Sequence, residues 1–296
     1  RYERVLATAK DVTTVSPEKM AGGGMSYEYG FLMLDGAAGV RADELDTELI
    51  CLALWDGNPG GGPGGTASSV ERWRSAGRRV EIVDLAEVVR RAGIAMPATA
   101  PPARTPRVEI IPASSGFEPE IRGLLFGDVR GFSKLSEEEI PLFVRYFLGT
   151  VAAELGQTSC GPVLTNTWGD GLYFVFDSVR ATGEFALALC EAVRRIDWVA
   201  KGFRHDLGLR IGLHAGPVYS CVDPVTGRPN YLGVHVSRAA RIEPITPPGE
   251  VYASGAFAAL ARSEEVREFS CAYVGQTPQA KGYGTFPTFV VHRRRA

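Results

Sequence analysis

Apolar and polar residues alternate along the first ninety residues in a way that predicts alternating strands and helices. The apolar run LICLAL at 49–54 is typical of a strand buried on both faces, and RVEIVDL at 79–85 predicts a second strand. Helical patterns cover about 25–39 and begin again near Thr66, and the β-branched DVTTVS at 11–16 predicts a further strand. This order favours a parallel, Rossmann-like α/β sheet.

The pattern changes in the second half of the chain. After the apolar stretch LLFGDV, the spacing of Ser136 and Glu139 is that of a capping box, which opens a predicted helix. VLTNTWGDGLYFVF at 163–176 predicts two strands joined by a tight turn, LGLRIGLHAGPVYSCV at 207–222 a long strand pair, and 234–243 a helix. The order β–α–β–β–α–β predicts a ferredoxin-like α/β sandwich.

A proline-, alanine- and serine-rich segment separates these two patterns. We interpret residues 95–118 as an interdomain linker, which divides the chain into a domain at 1–94 and a second domain at 119–296. The sequence begins with Arg1 rather than Met. We therefore expect it to be an excerpt of a longer protein, with the Rossmann-like domain truncated at its N-terminus.

Composition narrows the class of protein. Apolar residues make up 45% and charged residues 22% of the 296 residues, as in ordinary globular proteins. A formal charge of −2 gives no broad basic surface, so we expect neither nucleic acid nor a membrane as partner. The five cysteines contain no CxxC pair, and no signal peptide or bilayer-length apolar run is visible. These features favour a cytoplasmic location.

A glycine-rich loop, WDGNPGGGPGG, follows the first apolar run at 55–65. Such a loop before a helix can hold phosphate with backbone N–H groups, but the ordered spacing of a phosphate-binding motif is missing, so a flexible connector or remnant loop is the favoured interpretation. The segment WDGNPGGGPGGTASSVERWRSAG resembles part of the SLOG and related Rossmann-like nucleotide-sensing families. One hypothesis is therefore that this domain binds a small-molecule effector.

Two aspartates lie at positions where the surrounding sequence pattern does not lead one to expect a carboxylate. Asp128 ends an apolar stretch, where an unpaired carboxylate costs free energy, and Asp170 lies between two predicted strands. Each has an ordinary alternative, Asp128 as a cap and Asp170 as a turn residue. In a ferredoxin-like sheet, however, the first strand and the next hairpin are neighbours, so both carboxylates can meet at one edge. Paired carboxylates in an open site suit two Mg²⁺ ions that also bind substrate phosphates.

Five motifs follow one another in a familiar order across residues 121–292. LLFGDVRGFSKLSE, NTWGDGLYFVF, LRIGLHAGPVY, VSRAARIE and QAKGYGTFPTFVV resemble the class III nucleotidyl cyclase catalytic domain, also called the adenylyl/guanylyl cyclase homology domain. The resemblance implies a lyase that converts a nucleoside triphosphate to a 3′,5′-cyclic nucleotide and pyrophosphate. It also implies a homodimer, because the active sites of this family form between two catalytic domains.

The resemblance assigns roles to particular residues. Asp128 and Asp170, with the backbone carbonyl of Val129, would hold two Mg²⁺ or Mn²⁺ ions. Arg241 would stabilise charge on the transferring phosphoryl group, a task that suits a planar guanidinium. Lys281 would contact the terminal phosphates. The metal-binding aspartates would come from one chain and Arg241 from its partner.

Three positions depart from the family pattern. The purine-reading lysine is replaced by Asn166, the base-reading aspartate by Asn230, and the ribose-binding asparagine by Ser237. Asparagine offers a donor and an acceptor, so Asn166 and Asn230 can still read a base edge, although both are also common turn residues. The base preference is therefore expected to be non-standard. Pyrimidine nucleotides are an option, since some bacterial members of the superfamily make cyclic pyrimidine nucleotides.

Two functional hypotheses follow. The retained aspartates and Arg241 favour an active cyclase, whereas the three altered positions favour a catalytically degenerate domain that binds nucleotide and regulates a partner. The four histidines have no metal-ligand spacing. His235, two residues before Ser237, is close enough in sequence to approach the nucleotide, but a packed helix or loop histidine is the favoured interpretation.

Overall fold

The computed structural model describes residues 2–9, 12–15, 23–59, 62–93, 119–278 and 284–294. The predicted linker at 95–118 and Lys281 lie outside the described residues. No helix within these ranges is long and apolar enough to cross a membrane.

The first part of the chain is a small α/β unit. Its helices and strands are α1 (Tyr2–Thr8), α2 (Gly23–Glu44), β1 (Cys51–Trp55), α3 (Thr66–Ser75), β2 (Val80–Asp84) and α4 (Leu85–Arg91). β1 and β2 pair in parallel, as expected. The strand predicted at 11–16 is wrong over the described residues 12–15, which are mostly exposed and have no neighbouring strand to complete a hydrogen-bonded ladder.

Strand β1 is buried on one face only, contrary to the prediction. Cys51 and Ala53 are buried, whereas Leu52 and Leu54 are 64% and 57% exposed. The reason is that α3 contacts β1, while no element within the described ranges covers the other face. With two parallel strands described, the Rossmann-like assignment of this part stays a prediction.

The second part contains the remaining strands and helices. The strands are β3 (Pro119–Arg130), β4 (Leu164–Trp168), β5 (Gly171–Phe176), β6 (Gly208–Val222), β7 (Pro229–Leu232), β8 (Val251–Ser254), β9 (Phe269–Pro278) and β10 (Thr285–Arg293). The helices are α5 (Ile140–Phe143), a π-helical turn (Val144–Leu148), α6 (Gly149–Gln157), α7 (Val179–Arg194), α8 (Val234–Ala239) and α9 (Gly255–Ser263), with 3₁₀ turns at Phe132–Lys134 and Glu243–Ile245.

The eight strands form one mixed sheet. Its order is β4-β5-β3-β6-β8-β10-β9, and β7 pairs with β6. The part β4-β5-β3-β6, with helices after β3 and β5, confirms the predicted ferredoxin-like β–α–β–β–α–β arrangement. The predicted capping box is only half formed: Oε2 of Glu139 accepts the backbone N–H of Ser136 at 2.8 Å, but α5 begins at Ile140, with Glu139 at its N-cap and no side-chain cap.

Residues 208–222 form one continuous strand rather than the predicted strand pair. β6 pairs with β3 over the whole length of β3, so the chain has no turn there. The glycines within it serve close packing instead: a Cβ on Gly212 would lie 2.4 Å from the backbone nitrogen of Glu243, and a Cβ on Gly216 would lie 2.2 Å from Nδ1 of His235.

The two faces of the sheet have different partners. The main core, on the side of α6, α7 and α9, includes Leu125, Val129 and Phe174. The other face carries a smaller cluster that includes Leu124, Tyr173 and Ala239, covered by α8, and we call it the α8 face. Successive residues of a strand point to opposite faces, so the alternation along each strand determines which side chains reach α8.

Helix α2 of the first part is docked on the second part. Tyr29 and Leu32 belong to the main core, and α2 packs along α9. Asp35 accepts hydrogen bonds from Nε1 of Trp73 at 2.9 Å and from Oγ of Ser263 at 2.7 Å, and it forms an ion pair with Arg78. A buried and fully paired carboxylate therefore ties α2, the region after α3 and α9 together.

Candidate active site

Asp128 and Asp170 lie side by side on the α8 face. Asp128 has the same strand parity as Leu124 and Phe126, which places it on that face two residues before the end of β3. Asp170 lies in the turn between β4 and β5, after Gly169, whose φ of +64° favours glycine. The two carboxylates are close enough for the charge of Asp128 to act on Asp170. The structure thus brings together the two carboxylates that the sequence singled out.

Asp128 is paired rather than used as a cap. Its Oδ2 accepts from Nη2 of Arg210, which lies opposite it on β6. The 3₁₀ turn that follows is preceded by Gly131 and has no side-chain cap. The ion pair with Arg210 therefore explains why a carboxylate is tolerated at this position. The capping interpretation of Asp128 is wrong.

A third acid completes this group. Oε1 of Glu243 lies 2.9 Å from Nη2 of Arg210, but the pair lacks hydrogen-bond alignment. As a result, Oε1 of Glu243 and Nε of Arg210 are buried polar atoms with no hydrogen bond among the described residues. Asp128, Asp170, Glu243 and Arg210 form what we call the metal end of the site.

The metal end carries an excess of negative charge. Burial and the neighbouring Asp128 carboxylate raise the pKa of Asp170 above its ordinary value. Burial raises the pKa of Glu243 to about 7, and Arg210 opposes this shift only in part. Within the described residues, Arg210 is the basic group paired with Asp128 and Glu243, so a cation bound by Asp128 and Asp170 would relieve the repulsion between these two carboxylates.

The donor set fits Mg²⁺ or Mn²⁺. Among the described residues, no group of three or more His, Cys, Asp or Glu side chains is arranged to hold a metal ion. Two adjacent carboxylates alone suit Mg²⁺, which takes few protein oxygens and leaves positions for water and phosphate. Val129 is buried in the main core, so only its backbone faces the metal end.

Asn166 on β4 and Asn230 on β7, two strands in contact, make up what we call the base end, with Trp168 and Tyr173. Asn166 pairs across the sheet with Tyr173, and the hydroxyl of Tyr173 donates to the carbonyl of Tyr231 at 3.1 Å. Oδ1 of Asn230 accepts the backbone N–H of Tyr231 at 2.8 Å. Both asparagines lie within strands, so the turn interpretation is wrong for these positions.

The predicted phosphoryl and ribose residues lie on or just after α8. This helix is shorter than predicted, because Pro244 disfavours helix in the residue before it and the chain continues as a 3₁₀ turn. Ser237 is exposed, and its carbonyl accepts from Nη1 of Arg241 at 2.6 Å. Arg241 is two residues from Glu243 in sequence, so the turn after α8 supplies both the metal end and the predicted transition-state residue.

A buried pair of histidines links α8 to strand β6. Nε2 of His214 on β6 and Nδ1 of His235 share a hydrogen bond of 2.8 Å, and Nδ1 of His214 is bonded to Oγ of Ser254 at 2.6 Å. Tyr29 of α2 packs edge-on against His235 with 5.3 Å between ring centroids. Burial, and then the Arg238 charge, lower the pKa of His235 to about 4, and burial lowers that of His214 well below its ordinary value.

Arg210, Glu243 and Trp168 were not singled out from the sequence. The signal for Arg210 was its place opposite Asp128, which requires the register of β3 and β6. Trp168 could have been found, since an aromatic residue that shares a strand face with Asn166 and precedes the Asp170 turn is visible in NTWGD. Glu243 follows a helix and a turn, and no local sequence pattern predicts the path of the chain there.

Comparison with protein families identifies the second part of the chain. The model of the adenylate and guanylate cyclase catalytic domain matches residues 120–293, more than half of the chain. The protein therefore belongs to the family of adenylate and guanylate cyclase catalytic domains. No curated protein gives a significant match.

Solved cyclase structures share the fold. The adenylyl cyclase CyaB from P. aeruginosa is 20% identical, with 60% of this chain and 97% of that chain covered and a TM-score of 0.51. The guanylate cyclase domain of RhGC from Catenaria anguillulae, in complex with GTP, is 20% identical, with 60% and 98% covered and a TM-score of 0.50. The catalytic core of a rhodopsin-guanylyl cyclase with converted specificity, in complex with ATPαS, is 21% identical, with 60% and 98% covered and a TM-score of 0.50.

Proposed function

We propose that this protein is an active nucleotide cyclase, which converts a nucleoside triphosphate to a 3′,5′-cyclic nucleotide and pyrophosphate. The observation that carries the proposal is the metal end, where Asp128 and Asp170 meet beside one arginine. Adjacent, partly buried carboxylates destabilise a fold unless a cation compensates them, and Arg210 is paired here with Asp128 and Glu243 only. A domain retained only for its shape has no need of this arrangement.

Asp128, Asp170 and the Val129 carbonyl are the groups that would hold Mg²⁺ or Mn²⁺. Two bound ions would supply the Lewis acidity that eases ionisation of the ribose 3′-hydroxyl and stabilises the leaving pyrophosphate. The fit rests on the excess of acid over base at this end and on the unbonded Oε1 of Glu243.

The remaining residues of the metal end act on the phosphates. With a cation beside Asp128, the guanidinium of Arg210 loses its need for that carboxylate and can donate to a phosphate oxygen. Glu243 then keeps Arg210 in place. Arg241 would stabilise charge on the transferring phosphoryl group, and Lys281, which lies outside the described residues, would contact the terminal phosphates.

We propose that the active enzyme is a homodimer in which each site takes its metal end from one chain and Arg241 from the other. Exposed apolar side chains on β7 and α8, namely Leu232 and Val234, give this region the character of a contact surface.

The base end favours an uncharged mode of recognition, so the base preference is expected to differ from that of ATP-specific relatives. Asn166 makes no side-chain hydrogen bond among the described residues, which leaves it a donor and an acceptor. Asn230 uses its oxygen on Tyr231, so only its NH₂ group is left for a base acceptor. A pyrimidine nucleotide is among the substrates that this pattern admits, and Ser237 would reach the ribose through water.

The alternative is a catalytically degenerate domain that binds nucleotide and regulates a partner. The observation in its favour is the change at all three predicted base- and ribose-binding positions, Asn166, Asn230 and Ser237. This hypothesis shares nucleotide binding with the first and differs only in turnover.

A small-molecule effector is a further proposal, and the contact between the two parts of the chain is where it would act. Helix α2, α9 and β9 line a cleft of about 730 Å³, a size typical of ligand pockets. Tyr29 of α2 also contacts His235, which lies in the first turn of the helix that leads to Arg241.

Product analysis tests the function. The purified protein is incubated separately with ATP, GTP, CTP and UTP, with Mg²⁺ and with Mn²⁺, and products are identified by mass spectrometry beside Asp128→Ala. A cyclic nucleotide that is absent with Asp128→Ala is the expected result. No product from any of the four, from a folded dimer that binds nucleotide, would favour the regulatory alternative.

A further inference from the structure

Trp168 is a large apolar side chain in an unusual place. It is 59% exposed, although it lies at the end of β4 on the same face as Asn166 and directly before the turn that holds Asp170. It therefore stands between the base end and the predicted metal ligands, where water exclusion would matter for a bound nucleotide.

An aromatic stack holds the indole ring in a fixed orientation. Phe126 and Tyr173 are stacked with 4.7 Å between ring centroids and an angle of 24°. Trp168 lies nearly parallel to Tyr173, at 7°, with 6.3 Å between centroids. The stack supports the indole from one side, and its high exposure leaves flat ring surface for a further aromatic ring.

The same stack positions the amide groups. The hydroxyl of Tyr173 holds the carbonyl of Tyr231, and the backbone N–H of Tyr231 is bonded to Asn230. Asn166 lies directly opposite Tyr173 on β4. Tyr173 is therefore a neighbour of the indole and of both strands that carry the asparagines, and the four residues of the base end are uncharged.

From this arrangement we infer that Trp168 is a stacking surface for the nucleobase and a determinant of base affinity. Stacking on an aromatic side chain is tolerant of the base, because every base has a π-face, so the indole supplies affinity and the amides of Asn166 and Asn230 supply selection. The inference rests on the proposed function in that the ligand is taken to be a nucleoside triphosphate.

The experiment uses tryptophan fluorescence with nucleotides that cannot react. The four 3′-deoxynucleoside triphosphates lack the attacking hydroxyl, so binding is observed without turnover. The chain has four tryptophans, and Trp168→Phe removes the indole signal while it keeps an aromatic ring. Trp168→Leu removes the ring, and Trp55→Phe, in β1 of the first part, is the matched control. Affinity is measured independently by calorimetry, and oligomeric state by light scattering.

We expect nucleotide to quench the fluorescence of the unmodified protein and of Trp55→Phe, but not that of Trp168→Phe. The Kd should change less than about threefold in Trp168→Phe and rise about tenfold or more in Trp168→Leu, in line with the usual strength of base stacking. With the reacting substrate, the loss in Trp168→Leu should appear mainly in KM, since stacking is present before and during the reaction.

Four results would overturn the inference. Unchanged affinity in Trp168→Leu, or quenching that persists in Trp168→Phe, would mean that the base does not stack there, even if the protein makes a cyclic nucleotide. Conversion of Trp168→Leu to a monomer would assign the indole to the contact with a second chain. Failure of the unmodified, folded protein to bind any of the four nucleotides would remove the proposed function together with the inference.

Discussion

The metal end and the base end of the candidate site differ in the charge of their side chains. The metal end places three acids around one arginine, and the pKa values of Asp170 and Glu243 are raised as a result. The base end has two amides and an aromatic stack, without a charged side chain. Reaction chemistry on phosphates requires charge, whereas a base can be held by stacking and neutral hydrogen bonds. The residues at the two ends of one site can therefore change independently.

The largest effect is expected at the metal end. Asp128→Asn keeps the shape of the side chain and removes the charge, so the rate of cyclisation should fall by about a thousandfold. Initial rates of cyclic nucleotide formation measure the loss. Asp206→Asn, an exposed aspartate before β6, is the matched control and should leave the rate unchanged. A loss of less than tenfold in Asp128→Asn would separate this carboxylate from the chemistry.

Complementation tests whether the metal end and Arg241 come from different chains. Asp128→Ala and Arg241→Ala should each be nearly inactive, and mixed subunits should regain about a quarter of the unmodified activity, because half of the dimers would be mixed and each would hold one intact site. The measurement is the rate after co-expression and purification of both variants. Two folded, dimerising variants that regain no activity would contradict the shared site.

The base end should respond to added charge with a change of substrate. Asn166→Lys combined with Asn230→Asp restores the family's adenine-reading pattern, so kcat/KM for ATP relative to the other nucleotides should rise about tenfold. Competition between nucleotide pairs measures this ratio. Thr165→Lys, on the other face of β4, is the control for the added lysine. If both variants give the same ratio, the asparagines do not read the base.

The contact between the two parts of the chain should matter for stability more than for the chemistry. Asp35→Ala leaves Arg78 without its buried partner and should cost about 3 kcal/mol in free energy of unfolding. Asp43→Ala, in the exposed pair with Arg262, is the control and should cost less than about 1 kcal/mol. Denaturant unfolding measures both. A rate of cyclisation that also changes in folded Asp35→Ala would support control through α2, and an unchanged rate would count against it.

His235 is expected to have the smallest effect on the rate of cyclisation. Its effect on the pH dependence of folding stability should be clear. In the folded state its pKa is lowered to about 4, so below the ordinary value of 6.5 the unfolded chain binds the proton first and stability falls as the pH falls. Between pH 7.5 and pH 5 this one group should remove about 2 kcal/mol of folding free energy. His235→Gln should flatten the curve by that amount in denaturant titrations at the two pH values. Equal pH dependence in both proteins would mean that His235 is accessible to protons.

The alternation of residues in the second half of the chain was enough to predict the fold and the meeting of two carboxylates. LLFGDV places Asp128 two residues from Phe126 on one strand face, and GDG places Asp170 at the hairpin turn. Both are local properties of strands and turns, so they can be predicted from a short window. The same window carried no information on Arg210, which meets Asp128 only because β3 and β6 pair in one register over twelve residues.

The sequence by itself therefore determined the ferredoxin-like order of elements, the family and the positions of the metal-binding candidates. Only the tertiary structure decided that 208–222 is a single strand, that Glu243 joins the metal end, that Tyr173 connects Trp168 to Asn230, and that α2 rests on α9. Each of these depends on contacts between residues far apart in sequence. Their geometry is fixed by the packing of whole elements rather than by the preference of any one segment.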